Sequence, residues 1–566
     1  MYNDSKSSKA ILKEIYHTYI LGIPLIRYTF FPTMFCMLIA RYLEVILGEM
    51  MQKVATKLNF EFDNSCSSLV GRYFIISIIS CLLIELQGFI FTGSIQRAYR
   101  TAACKAFKQF MDLEYLEFKK YGMGEIHATI ERKSLAVSEI MDVLILNLLP
   151  VVFVIFFSTY KIYKILGFIT TLILYISLVA YTVTTIEMAK WRNTIRREYN
   201  KKVNKVSNQL YDSFNNYDIV KAFNNEFEEV SKYDYYLKEV EISSTKLWRT
   251  FYLLNFLQRL IFGLQTCFII YIGVKGIMRE KFTPDQLVLY LSISRILSSN
   301  LDKLGYMYGR FTQAMTNAKM SFINLSSPKK LYPIRSFNRD IVFKNVGFSY
   351  NKRNISNNIN FYIEKYDKVA IIGSNGIGKS TLLKSLLKFT HYNGNIKIDG
   401  DEVKYISNDS LRTLISYIPQ DSLLFDETVE YNLKYGSDIT NMELTQICKE
   451  YDIHDSINRL DSGYNTTIGT RGSNLSGGEK QKISFVRALL KESEILLLDE
   501  PTANLDKVSE NNLIKRILQK EKHKTIIMVI HSLSLLKHFN KIFYLDPNNT
   551  RSVTEEEAID LMNNKL

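Results

Sequence analysis

Two uncharged runs in the first half of the chain set the strongest limit on its fold. Residues 143–160 carry no charge over 18 positions, and residues 165–186 carry none over 22. As helices rising about 1.5 Å per residue, runs of this length can cross the ~30 Å hydrocarbon core of a bilayer. Lys161 and Lys164 stand between them, which predicts a tight helical hairpin turning at 161–164. Four further apolar stretches lie at about 24–48, 73–95, 250–274 and 286–309. They hold internal charges: Arg27 and Arg41, then Glu85, then Arg259, then Arg295 with Asp302. A charge inside a span is expensive in lipid and usually faces a bundle interior or a wet cavity. Beside two clean spans, the four read as further crossings, six in all, rather than as amphipathic helices of a soluble core.

The polar stretches 96–140 and 187–249 are long, rich in Lys and Arg and helical in period, whereas the other connections are short. The positive-inside rule therefore puts the long loops, both termini and the second half of the chain on one face of the membrane. This topology accounts for much of the net charge of +14, from 71 Lys and Arg against 57 Asp and Glu. A nucleic-acid partner, which such a charge would also suit, is not expected. The six cysteines are scattered, with no Cys-x-x-Cys pair, so neither a disulfide scaffold nor a zinc site is expected. Residues 1–15 contain no apolar core of a secretory leader, and no cleaved targeting segment is predicted. After about residue 327 the pattern becomes soluble α/β, with short apolar strands between helical and Gly-containing stretches. The domains are thus expected at 1–330, with six membrane helices and long intracellular loops, and at 331–566.

In the second domain, Gly373-Ser374-Asn375-Gly376-Ile377-Gly378-Lys379-Ser380 follows the apolar run 369–372 and opens a helical stretch from Thr381. Strand, glycine loop and helix in that order make a phosphate cradle. The glycines let backbone N–H groups wrap an anion, and the helix start adds positive potential. Lys379 is expected on the β- and γ-phosphates of a nucleotide, and the Ser380 hydroxyl on Mg²⁺. Further on, Ile495-Leu496-Leu497-Leu498 ends in Asp499-Glu500. An acidic pair at a strand's end is where a metal ligand and a base belong: Asp499 for Mg²⁺ and Glu500 to polarise the attacking water. Between these elements, Leu475-Ser476-Gly477-Gly478-Glu479-Lys480-Gln481 leads into a helical stretch at 482–490, a second helix start suited to an anion.

These elements in this order resemble the ATP-binding cassette (ABC) transporters, in which the Ser-Gly-Gly element distinguishes the family from other phosphate-loop ATPases. The resemblance covers the whole soluble half and implies further roles. Tyr350 matches the aromatic that stacks on adenine, and Gln420 the glutamine that senses Mg²⁺ and the membrane domain. Asp506 matches the D-loop aspartate, and His531 the switch histidine at the γ-phosphate. In the family, the turn at Ser476, Gly477 and Gly478 of one protomer completes the ATP site of the other. Six spans with one cassette therefore imply a half-transporter, most simply a homodimer. The implied architecture is the type IV ABC exporter fold, a membrane α-helical six-span domain followed by an α/β nucleotide-binding domain. The implied activity is ATP hydrolysis coupled to transport, with ATP and Mg²⁺ as cofactors.

A narrower resemblance lies in the membrane half. Trp191-Arg192-Asn193-Thr194-Ile195-Arg196-Arg197-Glu198-Tyr199-Asn200 and Asp212-Ser213-Phe214-Asn215-Asn216-Tyr217-Asp218-Ile219-Val220-Lys221 resemble the mitochondrial iron–sulfur-type ABC exporters, as do residues 124–132 and 432–436. In those proteins glutathione derivatives sit in the inward-facing cavity. The matching positions are Arg192 and Arg196, four apart and so on one helix face, with Asn255 and Asp302. Two guanidinium forks suit a ligand with several carboxylates, although the same arginines would also mark the membrane–water boundary. Two positions depart from the pattern: Asp302 stands for an asparagine, and Arg310 for an acidic residue. Arg259, Arg295 and Asp302 could also pair among themselves. The resemblance implies export of a glutathione-linked sulfur compound across the inner membrane of a mitochondrion or a related organelle. An exporter of lipid, peptide or drug is the alternative within the fold, and a non-transport ABC ATPase the alternative outside it.

Overall fold

The computed structural model describes residues 7–58, 64–322, 331–350, 353–421, 423–469, 472, 474–502, 507–546 and 549–563. Its contacts divide the chain into two units, Met1–Asp112 with Tyr121–Leu325, and Leu113–Lys120 with Ser326–Leu566.

The first unit is helical. Among the described residues, four stretches in it are long and apolar enough to cross a membrane: Pro24–Val54, Ser67–Met111, Gly124–Asn215 and Glu226–Met278. They contain the first five expected spans, the third stretch holding both arms of the hairpin. The turn of that hairpin is not at 161–164. Helical geometry runs through both lysines and breaks at Gly167, with φ 81° and ψ −173°. Lys161 is free to stay helical because its ammonium pairs with Glu49 on the neighbouring helix Pro24–Leu58. Residues on both sides of Gly167 enter one apolar cluster, Val151, Val154 and Ile162 before it and Leu174, Leu178 and Tyr181 after it.

The Gly167 conformation is open almost only to glycine and costs other residues about 1–3 kcal/mol. A Cβ added there would meet nothing within 4 Å, so the cost of Gly167→Ala is backbone strain alone. The thermal midpoint of the detergent-purified variant is expected to fall by a few degrees. An unshifted midpoint would show that the turn does not depend on this glycine.

Ahead of the first arm, the helix widens into a π turn at Asp142–Leu148. Pro150 lacks the amide that would close on Leu146, which relaxes the four-residue repeat there. The sixth expected span, 286–309, is not continuous. Helices Pro284–Leu301 and Leu304–Ser321 are separated at Asp302 and Lys303, and the Tyr181 hydroxyl donates to the Leu301 carbonyl beside the break. Arg259, Arg295 and Asp302 are exposed and form no ion pair with one another among the described residues. The buried charge is elsewhere: Arg41 donates to Glu44 at 2.7 Å, and Asn300 donates to the other oxygen of that carboxylate at 3.1 Å.

The second unit is α/β. Its strands are β1 Asp340–Tyr350, β2 Arg353–Glu364, β3 Lys368–Gly373, β4 Asn393–Ile398, β5 Asp401–Glu402, β6 Ile415–Ile418, β7 Ile495–Asp499, β8 Thr525–Val529, β9 Lys541–Asp546 and β10 Asn549–Ser552. A small antiparallel sheet has the order β2-β1-β4-β5, and the main sheet the order β10-β9-β3-β8-β7-β6. In the main sheet every pair is parallel except β9 with β10. Parallel strands covered on both faces read as unbroken apolar runs, and every residue of β7 and β8 is buried. Alternate residues of β7 divide between two cores, Leu496 and Leu498 in one, Ile495 and Leu497 in the other.

Residues 113–120, expected with the membrane domain, group instead with this unit. Their short helix Tyr115–Phe118 sets the Tyr115 ring 4.2 Å from that of Phe389.

Candidate functional site

Because β3, β6, β7 and β8 run parallel, the chain leaves all four at the same edge of the sheet. The crevice outside the carboxyl ends of such strands is where open α/β sheets bind ligands. The 373–380 loop follows β3, Gln420 follows β6, Asp499 and Glu500 end β7, and His531 follows β8. Topology thus gathers residues that lie far apart in sequence.

Gly373, with φ 152°, has no room for a side chain: a Cβ would lie 2.7 Å from the Leu545 carbonyl oxygen on β9. Beyond it Ser374, Asn375 and Gly376 are exposed, while Ile377 is buried and anchors the loop. Gly378 leads into the helix Lys379–Leu386, whose first turn contains Ser380 and Thr381. Lys379 is buried, and its Nζ donates to the carbonyls of Gly373 at 2.9 Å and Ser374 at 3.2 Å. Burial lowers its pKa, and the Glu500 and Asp499 carboxylates oppose that shift. An ammonium resting on two loop carbonyls can exchange them for phosphate oxygens, which are stronger acceptors.

At the end of β7, the Ser380 hydroxyl donates to Asp499 Oδ1 at 2.8 Å and the Tyr417 hydroxyl to Oδ2 at 3.0 Å. Burial raises the Asp499 pKa, the two hydroxyls opposing it. Burial, aided by the Asp499 charge, also raises that of Tyr417, so the phenol remains a donor. A hydroxyl and a carboxylate side by side at the base of a phosphate loop are hard oxygen ligands that fit Mg²⁺, which takes one or two protein oxygens and completes its shell with water and phosphate. Gln420 does not join them: its Nε2 donates to Glu500 Oε2 at 2.7 Å. The other oxygen of Glu500 lies 2.6 Å from His531 Nε2, which must carry the proton to bond a carboxylate. Glu500 itself has φ 47°, a left-handed backbone that non-glycine residues seldom adopt. Its carboxylate is therefore fixed by a strained backbone below and two donors beside it.

Ser476 caps the helix Gly477–Leu489 in a reciprocal box with Glu479, and among the described residues its side-chain hydrogen bonds run only to Glu479. Gly477 is exposed and Gly478 half-buried at this helix start. Tyr350 ends β1, pairing with Arg353, but its side chain lies outside the described residues, as does the whole of Asp506. Tyr417 was not among the residues expected here. The signal was present: in a strand Tyr417 shares a face with Ile415, and a hydroxyl in that apolar run needs a partner.

In the first unit, Arg192, Arg196 and Arg310 line one cavity of about 610 Å³ together with Glu139, Trp248, Phe251 and Tyr306. Arg192 Nε donates to Thr250 at 3.2 Å, and its guanidinium lies 5.2 Å from the centre of the Phe251 ring. Arg196 packs against Gly309, where an added Cβ would stand 3.6 Å from Nη2. Arg310 donates to Asp142 at 2.7 Å, with Glu139 at 3.7 Å. Asn255, half-buried, and Asp302, exposed, are not in this lining. The aromatic wall was outside the expected set, while Arg310 was read from the sequence as a place where the cavity's charge pattern departs from the family's. Both come from helices brought alongside Arg192 and Arg196 by packing, which no local motif announces.

An ATP-hydrolysing cassette carried on a chain of membrane-length helices is the class that this crevice and these helices define. The ABC transporter family model matches residues 356–503, and that of the ABC transporter transmembrane region matches residues 26–301. The chain belongs to the ABC transporter family, as a half-transporter of the kind that includes the mitochondrial iron–sulfur cluster transporters. It is 34% identical to "Iron-sulfur clusters transporter ABCB7, mitochondrial" of Oryzias latipes over 85% of this chain, and spans 66% of that protein's length, just under two thirds. Against "ABC transporter B family member 24, mitochondrial" of Arabidopsis thaliana the identity is 32%, over 86% of this chain and 73% of the relative. Against "Iron-sulfur clusters transporter ATM1, mitochondrial" of Chaetomium globosum it is also 32%, over 81% and 78%. The solved structure of a bacterial Atm1-family ABC exporter with ATP bound superposes with a TM-score of 0.85 at 27% identity, covering 96% of this chain and 97% of that one.

Proposed function

We propose that this protein is an ATP-driven exporter that works as a pair of identical chains in the inner membrane of a mitochondrion or a related organelle. Its cargo is a glutathione-linked sulfur compound that supports iron–sulfur protein assembly outside the organelle. The observation that carries the cargo reading is the cavity in which three guanidinium groups, from Arg192, Arg196 and Arg310, meet an aromatic wall. Forked donors recognise carboxylates, and the rings take up the apolar part of the ligand. The names of the relatives give iron–sulfur clusters as what those proteins transport, which supports the link to iron–sulfur assembly.

In the cassette, Lys379 and the loop amides hold the β- and γ-phosphates, and Ser380 and Asp499 would hold Mg²⁺, which when bound would supply charge neutralisation at the phosphates. Glu500 takes a proton from the attacking water, while His531 and Gln420 keep its carboxylate aimed. Ser476, Gly477 and Gly478 of the second copy close over the nucleotide, with Tyr350 on the adenine and Asp506 at the shared boundary. Closure of the paired cassettes turns the cavity to the opposite face, and hydrolysis resets it, a two-state rearrangement coupled to phosphate contacts.

The test is Mg-ATPase activity in lipid nanodiscs titrated with reduced and oxidised glutathione. Stimulation is expected, and Arg196→Ala is expected to raise the half-maximal concentration roughly ten- to hundredfold, the cost of a charged hydrogen-bonded pair. An unaltered response in the variant would count against this cargo. Turnover indifferent to every glutathione species would move the search to lipids and peptides, for which the aromatic wall alone would serve.

A further inference from the structure

We propose that Tyr417 is a positioning residue for the metal-holding carboxylate Asp499, and that the aromatic run Tyr115, Phe389, Tyr417 carries the placement of segment 113–120 to it. The inference rests on the ATP and Mg²⁺ reading above and goes beyond it. The two oxygens of Asp499 have divided duties. Oδ1 faces the Ser380 hydroxyl at the phosphate loop, and Oδ2 is held by the Tyr417 phenol. The terminal torsion of an aspartate is soft and roughly two-fold, so a carboxylate bonded at one oxygen turns easily. A second bond from a rigid neighbour stops that rotation, and such outer partners commonly set metal affinity. Tyr417 is such a neighbour: β6 pairs with β7 in fixed register, Tyr417 opposite Leu497 and Ile418 opposite Leu498.

The far side of the phenol has its own connection. The Phe389 ring meets Tyr417 edge-on, with centroids 6.4 Å apart, and lies at 4.2 Å and 31° to the Tyr115 ring. Both distances are close to or within the range in which aromatic pairs attract. Phe389 is also tied to the phosphate-loop helix, its amide bonding the Lys384 carbonyl at 2.9 Å. Three rings therefore lead from the short helix Tyr115–Phe118 to one carboxylate. When Tyr115 shifts, Phe389 loses its outer support and the phenol loses the surface that aims it at Oδ2.

Tyr417→Phe keeps the ring and deletes only the hydroxyl. The experiment uses the full-length protein and two probes: a fluorescent trinitrophenyl-ATP in EDTA, and Mn²⁺ followed by electron paramagnetic resonance with ATP present. Metal-free nucleotide affinity is expected to match wild type, and Mn²⁺ affinity to fall about tenfold or more. Tyr115→Ala is expected to weaken Mn²⁺ in the same direction by a few-fold. Wild-type Mn²⁺ affinity in Tyr417→Phe would overturn the positioning role. Wild-type affinity in Tyr115→Ala alone would overturn the relay. If the unmodified protein bound neither probe, the ATP reading itself would fall, a result distinct from both.

Discussion

Glu500→Gln is expected to slow ATP turnover by about 10²–10⁴-fold while nucleotide binding persists. The substitution keeps size and shape, so the strained backbone at φ 47° and one of the two flanking bonds, from Gln420 or His531, are retained. What is lost is the oxygen charge that draws a proton from water. An amide presents one acceptor where the carboxylate presents two, so one flanking donor loses its bond, a minor effect beside the loss of the base. The checking measurements are phosphate release and the fraction of protein retaining ATP after gel filtration. Slow release with retained ATP, and a shift to a compact paired form, is the expected pattern. Turnover at the wild-type rate would remove Glu500 from the role of general base.

The second large effect is expected at the other end of the nucleotide. Lys379→Ala should weaken ATP binding about 10²-fold or more, since charged hydrogen bonds each contribute about 1.5–3 kcal/mol and the ammonium serves two phosphates. The change releases two carbonyls, that of exposed Ser374 and that of buried Gly373, so a modest fall in thermal midpoint is expected beside the loss of binding. A pH signature accompanies it. Burial lowers the Lys379 pKa, so the charged form that binds phosphate is lost as pH rises through that lowered value. Wild-type affinity should therefore weaken toward alkaline pH, whereas Lys379→Arg, whose guanidinium stays charged, should not follow. Equilibrium binding of trinitrophenyl-ATP across pH measures both, and an Ala variant with wild-type affinity would exclude Lys379 from the phosphate site.

The cassette was far more legible than the cavity, for a physical reason. A phosphate site needs glycines, a lysine and a helix start in unbroken sequence, and an acid pair at a strand's end is visible as an apolar run that stops. The strands at 369–372 and 495–498 accordingly appear within one or two residues of their expected ends. The hairpin turn was misplaced because two lysines look like a polar break. One lysine instead finds Glu49 on another helix, and a single glycine makes the turn. Pairings of this kind are decided by packing between helices. The same holds for Arg310, whose partners Glu139 and Asp142 come from residues more than 160 positions earlier. Arg192 and Arg196 were found through the resemblance of residues 191–200 to a known exporter family, their spacing of four placing them on one helix face, whereas Trp248, Phe251 and Tyr306 reach them only through tertiary contact.

The strand order of the main sheet has a consequence for how the protein is made. β3 lies between β8 and β9, so Lys368 pairs with Ile526 and Val369 with Lys541. The strand bearing the phosphate loop thus leaves the ribosome well before either of its neighbours exists. Contacts of such long sequence separation close slowly, because the loop-closure entropy must be met before the contacts form. Until β8 and β9 arrive, β3 has neither neighbour, and the crevice lacks the wall that carries His531. A nascent chain with its helices already in the bilayer therefore cannot begin spending ATP, and the catalytic centre appears only once β8 and β9 have been delivered.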